Sequence, residues 1–283
     1  MDEYRLIRDY QNGEIIFDRR YGSTNTFEKN NYPVGYNLGQ SGNTPSQNLV
    51  DAYEMIDGTP FDWNNPEHKS NPYANRDPRL AMSILTNNVE FKDRTIEAWT
   101  GGRDGKGVIH ATRTGYYIYK FIDPNLDLLQ NRTSVHHWVI MRYAEILLSY
   151  AEAMNEAYGP TGNVGYRLNA VRALNQVRNR VGVEMPAVPT AISKEELREK
   201  IRNERRVELA FEDHRFWDVR RWMIAPETLG TPLRGVEITK ISDEEFEYKP
   251  IEVEKRTFEP KMYLYPIPQA DLNTTGWVQN PLW

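Results

Sequence analysis

The pair of residues in this chain most suggestive of chemistry is Glu204 and Glu208, with His214 just beyond them. Spacing of four sets both carboxylates on one helix face. A di-iron bundle presents its ligands in this way, but it also requires Glu-x-x-His motifs on facing helices. The position three after Glu208 is Phe211, so the motif is incomplete and ion pairing is the expected use of both carboxylates. The run Gly101-Gly102-Arg103-Asp104-Gly105-Lys106-Gly107 resembles a phosphate-cradling loop. Its spacing is one residue short of the P-loop pattern, and Gly107 stands where Ser or Thr would bind magnesium. His136 and His137 are adjacent; on a helix such neighbours point about 100° apart and cannot readily share one metal ion. They are expected to pack or cap. Asp51, Glu54 and Asp57 offer oxygen ligands without the spacing of a calcium loop. A glycoside hydrolase needs two carboxylates about 5–10 Å apart, which 40 acidic residues neither establish nor exclude.

Composition narrows the classes further. The net charge is -5 and the basic residues are scattered, so no stripe exists to neutralise a phosphate backbone. No apolar run approaches the roughly 20 residues that span a bilayer. Met1 is followed by Asp2, Glu3, Tyr4 and Arg5 rather than by an apolar export segment. Cysteine is absent, which removes thiol catalysis, disulfides and thiolate metal sites. No cofactor is expected. Aromatic residues make up 12% of the chain, a surplus that calls for a use.

The elements that must position these residues change in kind near Ser134. Residues 1–134 are rich in Gly, Pro and Asn, whereas residues 135–283 carry long helical periodicity, and the two are expected to form one continuous domain. The stretch from Tyr21 to Ser46 has no apolar period and reads as a long loop, a type that is usually functional or disordered. Short helices are expected over Asn48 to Met55 and from Asp77-Pro78. An irregular hairpin is expected from Phe91 to Ile122 around the Gly-rich turn. Beyond Ser134, Ile140, Ala144, Leu147, Ala151, Met154 and Tyr158 form one helical stripe ended by Gly159-Pro160. A second helix runs from about Val164 to Val181. A third starts at Ser193, which with Glu196 makes a capping box, and continues at least to Glu212. The fold class is therefore mainly α, with tetratricopeptide-like helical hairpins, large irregular loops and a small β-hairpin.

Continuing the stripe of the third helix from Leu197 and Ile201 leads to Glu204, Glu208, Phe211 and Arg215. A second line, Val207, Ala210, His214 and Trp217, makes the helix surrounded rather than solvated. Unpaired buried carboxylates cost several kcal/mol. Arg205, Arg206, Arg215, Arg220 and Arg221 are the natural counter-ions, and a buried network of Glu204, Arg205, Glu208, Arg215 and Asp218 is expected.

The run N-E-R-R-V-E-L-A-F-E-D-H-R-F-W-D-V-R-R-W at Asn203 to Trp222 resembles the signature of SusD/RagB nutrient-binding lipoproteins. Leu49 to Trp63, Asn75 to Leu80, Thr114 to Lys120, His136 to Ala153 and Leu264 to Pro268 are similar to that family in the same order. The resemblance implies a helical scaffold whose loops bind oligosaccharide or polysaccharide at the outer face of the outer membrane. It implies a SusC-like TonB-dependent transporter as partner, and leaves hydrolysis to other proteins. It also implies a longer protein of which this is the carboxy-terminal portion, lipid-anchored through a segment that precedes it.

Sugar rings stack on aromatic faces and their hydroxyls seek amides and charged groups. The aromatic loop Tyr21 to Ser46 supplies that mixture. Tyr32, Tyr36 and Asn31 within it, with Trp99 and Arg103 from the Gly-rich turn, are the expected ligand contacts. The competing readings are a protein–protein adaptor built on helical repeats and, less favoured, a glycoside hydrolase.

Overall fold

The computed structural model describes residues 13–283. The reading of Met1 to Arg5 lies outside them. The chain begins with β1 (Ile15–Arg20), α1 (Thr26–Asn31), α2 (Gln47–Val50), α3 (Pro66–Ser70) and α4 (Arg79–Ser83). Short strands β2 (Ile84–Leu85), β3 (Glu90–Phe91), β4 (Arg94–Thr95) and β5 (Tyr117–Ile118) follow. Then come β6 (His137–Arg142) and the main helices α5 (Tyr143–Tyr158), α6 (Ala170–Arg178), α7 (Lys194–Glu208) and α8 (His214–Arg221). The chain ends with α9 (Ala225–Thr228), β7 (Leu233–Lys240), β8 (Phe246–Glu254), a 3-10 turn at Pro260–Tyr263 and α10 (Gln269–Thr275). Helix at 31% against 15% strand makes this a mainly α fold. Among the described residues, no helix is long and apolar enough to cross a membrane.

Two large cores organise the chain, beside a small cluster of Phe121 and Val139 against which Phe27 and Trp138 pack. Helices α5, α6 and α7 bury Leu148, Ala151, Leu174, Val177, Leu197 and Ile201 against one another. Burying each large aliphatic side chain contributes about 1.5–3 kcal/mol. Gly159 closes α5 with φ 74°, and the Ser193–Glu196 capping box opens α7. The second core gathers Tyr32, Tyr53, Leu80, Ile96 and Tyr116 with Val207, Val236 and Ile238. It therefore draws on residues from both sides of Ser134, and β1 pairs antiparallel with β6 across that position.

Several local expectations need correction. The Tyr21–Ser46 loop contains the helix α1, because Glu28 on it is buried and accepts a hydrogen bond from the Asp123 N–H at 3.2 Å. Tertiary contact here outweighs weak propensity. Ile140, placed on the α5 stripe, lies in β6 and is exposed, as is Tyr158. His137 is likewise on a strand, where its ring faces Asp18 at 3.0 Å, while His136 beside it reaches Glu28 at 3.0 Å. The second helix is shorter than Val164 to Val181; Asn169 caps it by accepting from the Arg172 N–H. No hairpin spans Phe91 to Ile122: β3 turns directly into β4, and β5 pairs with β2. The largest hairpin, β7–β8, was not anticipated; it runs in register from Lys240↔Phe246 to Arg234↔Glu252, with an irregularity before Leu233↔Glu254.

The third helix is not continuous to Glu212. It stops at Glu208, and positive φ at Phe211 (65°) and Asp213 (64°) redirects the chain into α8. The turn brings Glu212 back into the interior, where its carboxylate accepts from Arg142 Nε at 2.7 Å and from Lys120 Nζ at 2.6 Å.

Candidate glycan-binding clefts and the ion brace beneath them

Glu204 and Glu208 are buried and paired, largely with arginines other than those expected. Glu204 accepts from Arg79 at 2.5 Å and from Arg178 at 2.7 Å. Glu208 accepts from Arg79 at 2.9 Å, Arg142 at 2.8 Å and Arg180 at 2.8 Å. Arg205 bridges to Asp218 with contacts of 2.9 and 3.1 Å. Burial alone would raise the Glu208 carboxyl, but the surrounding Arg142, Arg180 and Arg79 hold it well below the usual carboxylate range. Arg215 is the exception among the expected members: it makes no ion pair among the described residues. It lines a cleft beside Arg206 instead. The network ties α4, β6, α6 and α7 together, which fixes the scaffold under the upstream loops.

The five residues expected to meet ligand are placed differently from one another. Tyr32 and Tyr36 are only 1% and 7% exposed. Their hydroxyls donate inward, from Tyr32 to the Asp123 carbonyl at 2.5 Å and from Tyr36 to the Phe91 carbonyl at 2.8 Å. Lys92 Nζ stands 5.0 Å over the Tyr32 ring and the Arg94 guanidinium 3.8 Å over Tyr36. Neither ring has a free face for a sugar, so their part as stacking platforms is corrected to that of a cleft floor. Asn31 is 2% exposed and braces its own loop: it donates to the Phe27 carbonyl and accepts from Asn43. Its role as a direct contact is corrected for the same reason. Trp99 is half-buried, tilted against Phe246 at 5.4 Å with Lys240 Nζ 5.0 Å from its ring. Arg103 is 59% exposed and paired with Glu97 at 2.5 Å.

Tyr32, Tyr36 and Arg103 nevertheless line one cleft of about 640 Å³, with Lys92, Asp93 and Arg94 on the same walls. Asp104, buried beneath, takes two hydrogen bonds from Arg94 at 2.6 and 2.9 Å and holds that guanidinium over Tyr36. Asn31 and Trp99 are not among the lining residues. This cleft presents charged and amide groups rather than rings.

Rings gather in a different cleft, which α1 helps to line. A second cleft of about 320 Å³ is lined by Tyr21, Phe27, Asn30, Phe121, His136 and Trp138, among others. Phe121 and Trp138 lie 5.2 Å apart, Phe27 meets Phe121 edge-on at 6.5 Å, and the His136 ring is 5.6 Å from Phe27. Loop Tyr21–Ser46 thus contributes residues to an aromatic cleft and to a polar cleft. Phe121 and Trp138 were missed in the sequence because they join the loop only through folding. Trp138 stood in the H-H-W run, but the apolar run from Trp138 to Met141 does not alternate, so no local period marked β6 as a wall of this cleft.

Helices α5, α6 and α7 packed around one core, with irregular loops that carry the clefts, define a helical scaffold bearing surface loops. The SusD family model matches residues 13–283, and the chain belongs to the SusD family. It is 31% identical to a SusD-like protein of Bacteroides fragilis, with a TM-score of 0.81 over 100% of this chain and 57% of that one. It is 30% identical to a SusD-like carbohydrate binding protein of the same species, with a TM-score of 0.76 over 93% of this chain and 53% of that one. SusD-like protein P2 of Formosa agariphila is 34% identical over 120 residues, 41% of this chain and 22% of that protein. The chain spans about half the length of these structures and a smaller share of that curated relative.

Proposed function

We propose that the chain captures oligosaccharide or polysaccharide at the cell surface through loop Tyr21–Ser46 and hands it to a SusC-like TonB-dependent transporter. In this reading the protein is held to the outer membrane by a lipid anchor on an amino-terminal part, and bond cleavage is left to other proteins. The observation that carries it is that residues of one loop segment line both the aromatic cleft of Phe27, Phe121 and Trp138 and the polar cleft of Arg94 and Arg103. Pyranose C–H faces stack on the first, and hydroxyls bond to the second. A relative 30% identical in sequence is described as carbohydrate binding, which supports the same reading.

A glycan array finds the ligand class, and calorimetry on Trp138→Ala and Arg103→Ala tests the site. Removing the Trp138 ring is expected to weaken binding at least about tenfold, since interface energy concentrates in such anchors. Unchanged affinity in both variants sinks the assignment. A blank array with transporter binding retained turns the reading to a protein–protein adaptor.

A further inference from the structure

A third cleft, of about 850 Å³, has no lining residue from loop Tyr21–Asn43. It opens between α2, the break separating α7 from α8, and the β7–β8 hairpin, with Arg206, Arg215, Arg234 and Arg256 in its walls. Two of these cations are committed: Arg234 pairs with Asp51 at 2.9 Å and Arg256 with Glu254 at 2.9 Å. The other two have no carboxylate among the described residues. Arg206 donates to the Asn48 carbonyl, and Arg215 has neither hydrogen bond nor ion pair there. Burial and the like charges of Arg206 and Arg202 outweigh the opposing pull of Asp218 and bring the Arg215 pKa down to about 10. Burial lowers Arg206 as well, with Asp51 pulling the other way.

The nearby carboxylates are taken. Asp51 already accepts from Gln47 at 2.7 Å, Trp63 at 3.0 Å and Arg234. Asp218 already serves Arg205 and Arg221. Glu227 and Glu252 stand exposed on the rim. Two crowded, partly desolvated guanidinium groups facing one cleft are an arrangement that an oxyanion relieves, and the planar Arg fork matches carboxylate or sulfate geometry.

We infer that this cleft binds the carboxylate or sulfate of an acidic sugar, held by Arg215 and Arg206, so that the glycan captured by the chain is anionic. The inference rests on the capture reading but concerns a different cleft, and the two fail separately. The probes are an oligogalacturonate, a sulfated galacto-oligosaccharide, a neutral oligosaccharide of equal length and sodium sulfate. Each is titrated into the wild-type chain, Arg215→Gln, Arg206→Gln and Trp138→Ala, with melting curves alongside.

One acidic oligosaccharide, and which one distinguishes carboxylate from sulfate, is expected to bind at least about tenfold tighter than the neutral one. That preference is expected to weaken with added NaCl and to vanish in Arg215→Gln without a fall in melting midpoint. Equal affinity for neutral and acidic probes, or affinity unchanged in Arg215→Gln, overturns the inference while capture stands. If no oligosaccharide binds but sulfate raises the wild-type midpoint and not that of Arg215→Gln, the oxyanion site stands and capture falls. A midpoint lowered by several degrees in Arg215→Gln marks a structural cation and overturns the inference.

Discussion

Glu208 is the residue through which the ion brace is best tested, because its two oxygens serve three arginines from three different parts of the chain. Replacing it with Ala removes contacts of 2.9 Å to Arg79, 2.8 Å to Arg142 and 2.8 Å to Arg180. Arg79 and Arg142 stay buried, each keeping part of its partner set in Glu204, Asp77 and Glu212. Breaking a buried pair by deleting one partner costs about 3–5 kcal/mol, most of it from the charge left behind. At roughly 2.1 cal/mol/K of unfolding entropy per residue, a chain of this size loses about 1.7 °C per kcal/mol, so the midpoint is expected to fall by about 5–8 °C. Glu156→Ala is the control, since its pair with Arg198 at 2.6 Å is solvent-exposed and such pairs contribute at most about 1 kcal/mol. Calorimetric melting of both variants decides the matter. A Glu208→Ala midpoint within the shift of Glu156→Ala would refute the claim that the network is buried and cooperative.

Acid unfolding follows from the same charges. Burial raises Glu208 and Glu212, but their arginine and lysine neighbours outweigh it and hold both below the usual range. The stability they contribute is complete above the ordinary carboxylate value of about 4.3 and is lost as pH falls through their lowered values. Melting midpoints measured down to pH 3 should fall steeply only below about 4.3, and less steeply in Glu208→Ala. Ser193→Ala removes the cap that accepts from the Glu196 N–H at 3.1 Å, and urea titration should show a loss of about 1 kcal/mol. In Gly105→Ala the new Cβ would lie 1.7 Å from the Trp99 carbonyl oxygen, so the backbone must shift. A lowered midpoint and a changed near-ultraviolet tryptophan signal are expected, and an unchanged spectrum would show that the loop gives way elsewhere.

What the sequence revealed and what it hid divides along contact range. The capping box at Ser193, the stop at Gly159 and the stripe from Leu197 to Glu208 are settled within a few residues, and each was legible. That Glu204 and Glu208 would be buried also followed, since period and residue type conflict visibly there. Their partners did not, because Arg79 lies 125 positions from Glu204 and no local pattern selects it over Arg205 or Arg206. The break after Glu208 was hidden by a helical period that continues through Phe211 and Arg215. What ends the helix is Glu212 turning inward to Arg142 and Lys120, again a distant pairing. The β7–β8 hairpin is a different kind of miss. Val236 and Ile238 alternate with Glu237 and Thr239 in plain view, and the strand was readable.

The candidate clefts follow the same rule with a consequence for how such loops are read. An aromatic residue beside Pro or Gly in a long polar loop has two physical uses, to anchor the loop or to meet a ligand, and the residue type does not separate them. Tyr32 and Tyr36 anchor: each hydroxyl has a carbonyl to reach. A phenol that satisfies its hydroxyl internally can be buried at little cost. Phe27, Phe121 and Trp138 have less to satisfy, and they assemble a cleft only because α1, β6 and the segment after β5 converge. The brace beneath β6 and α7 is what holds that convergence, since Arg142 at the end of β6 is pinned by Glu208 and Glu212. Weakening the brace should therefore loosen the aromatic cleft without touching it.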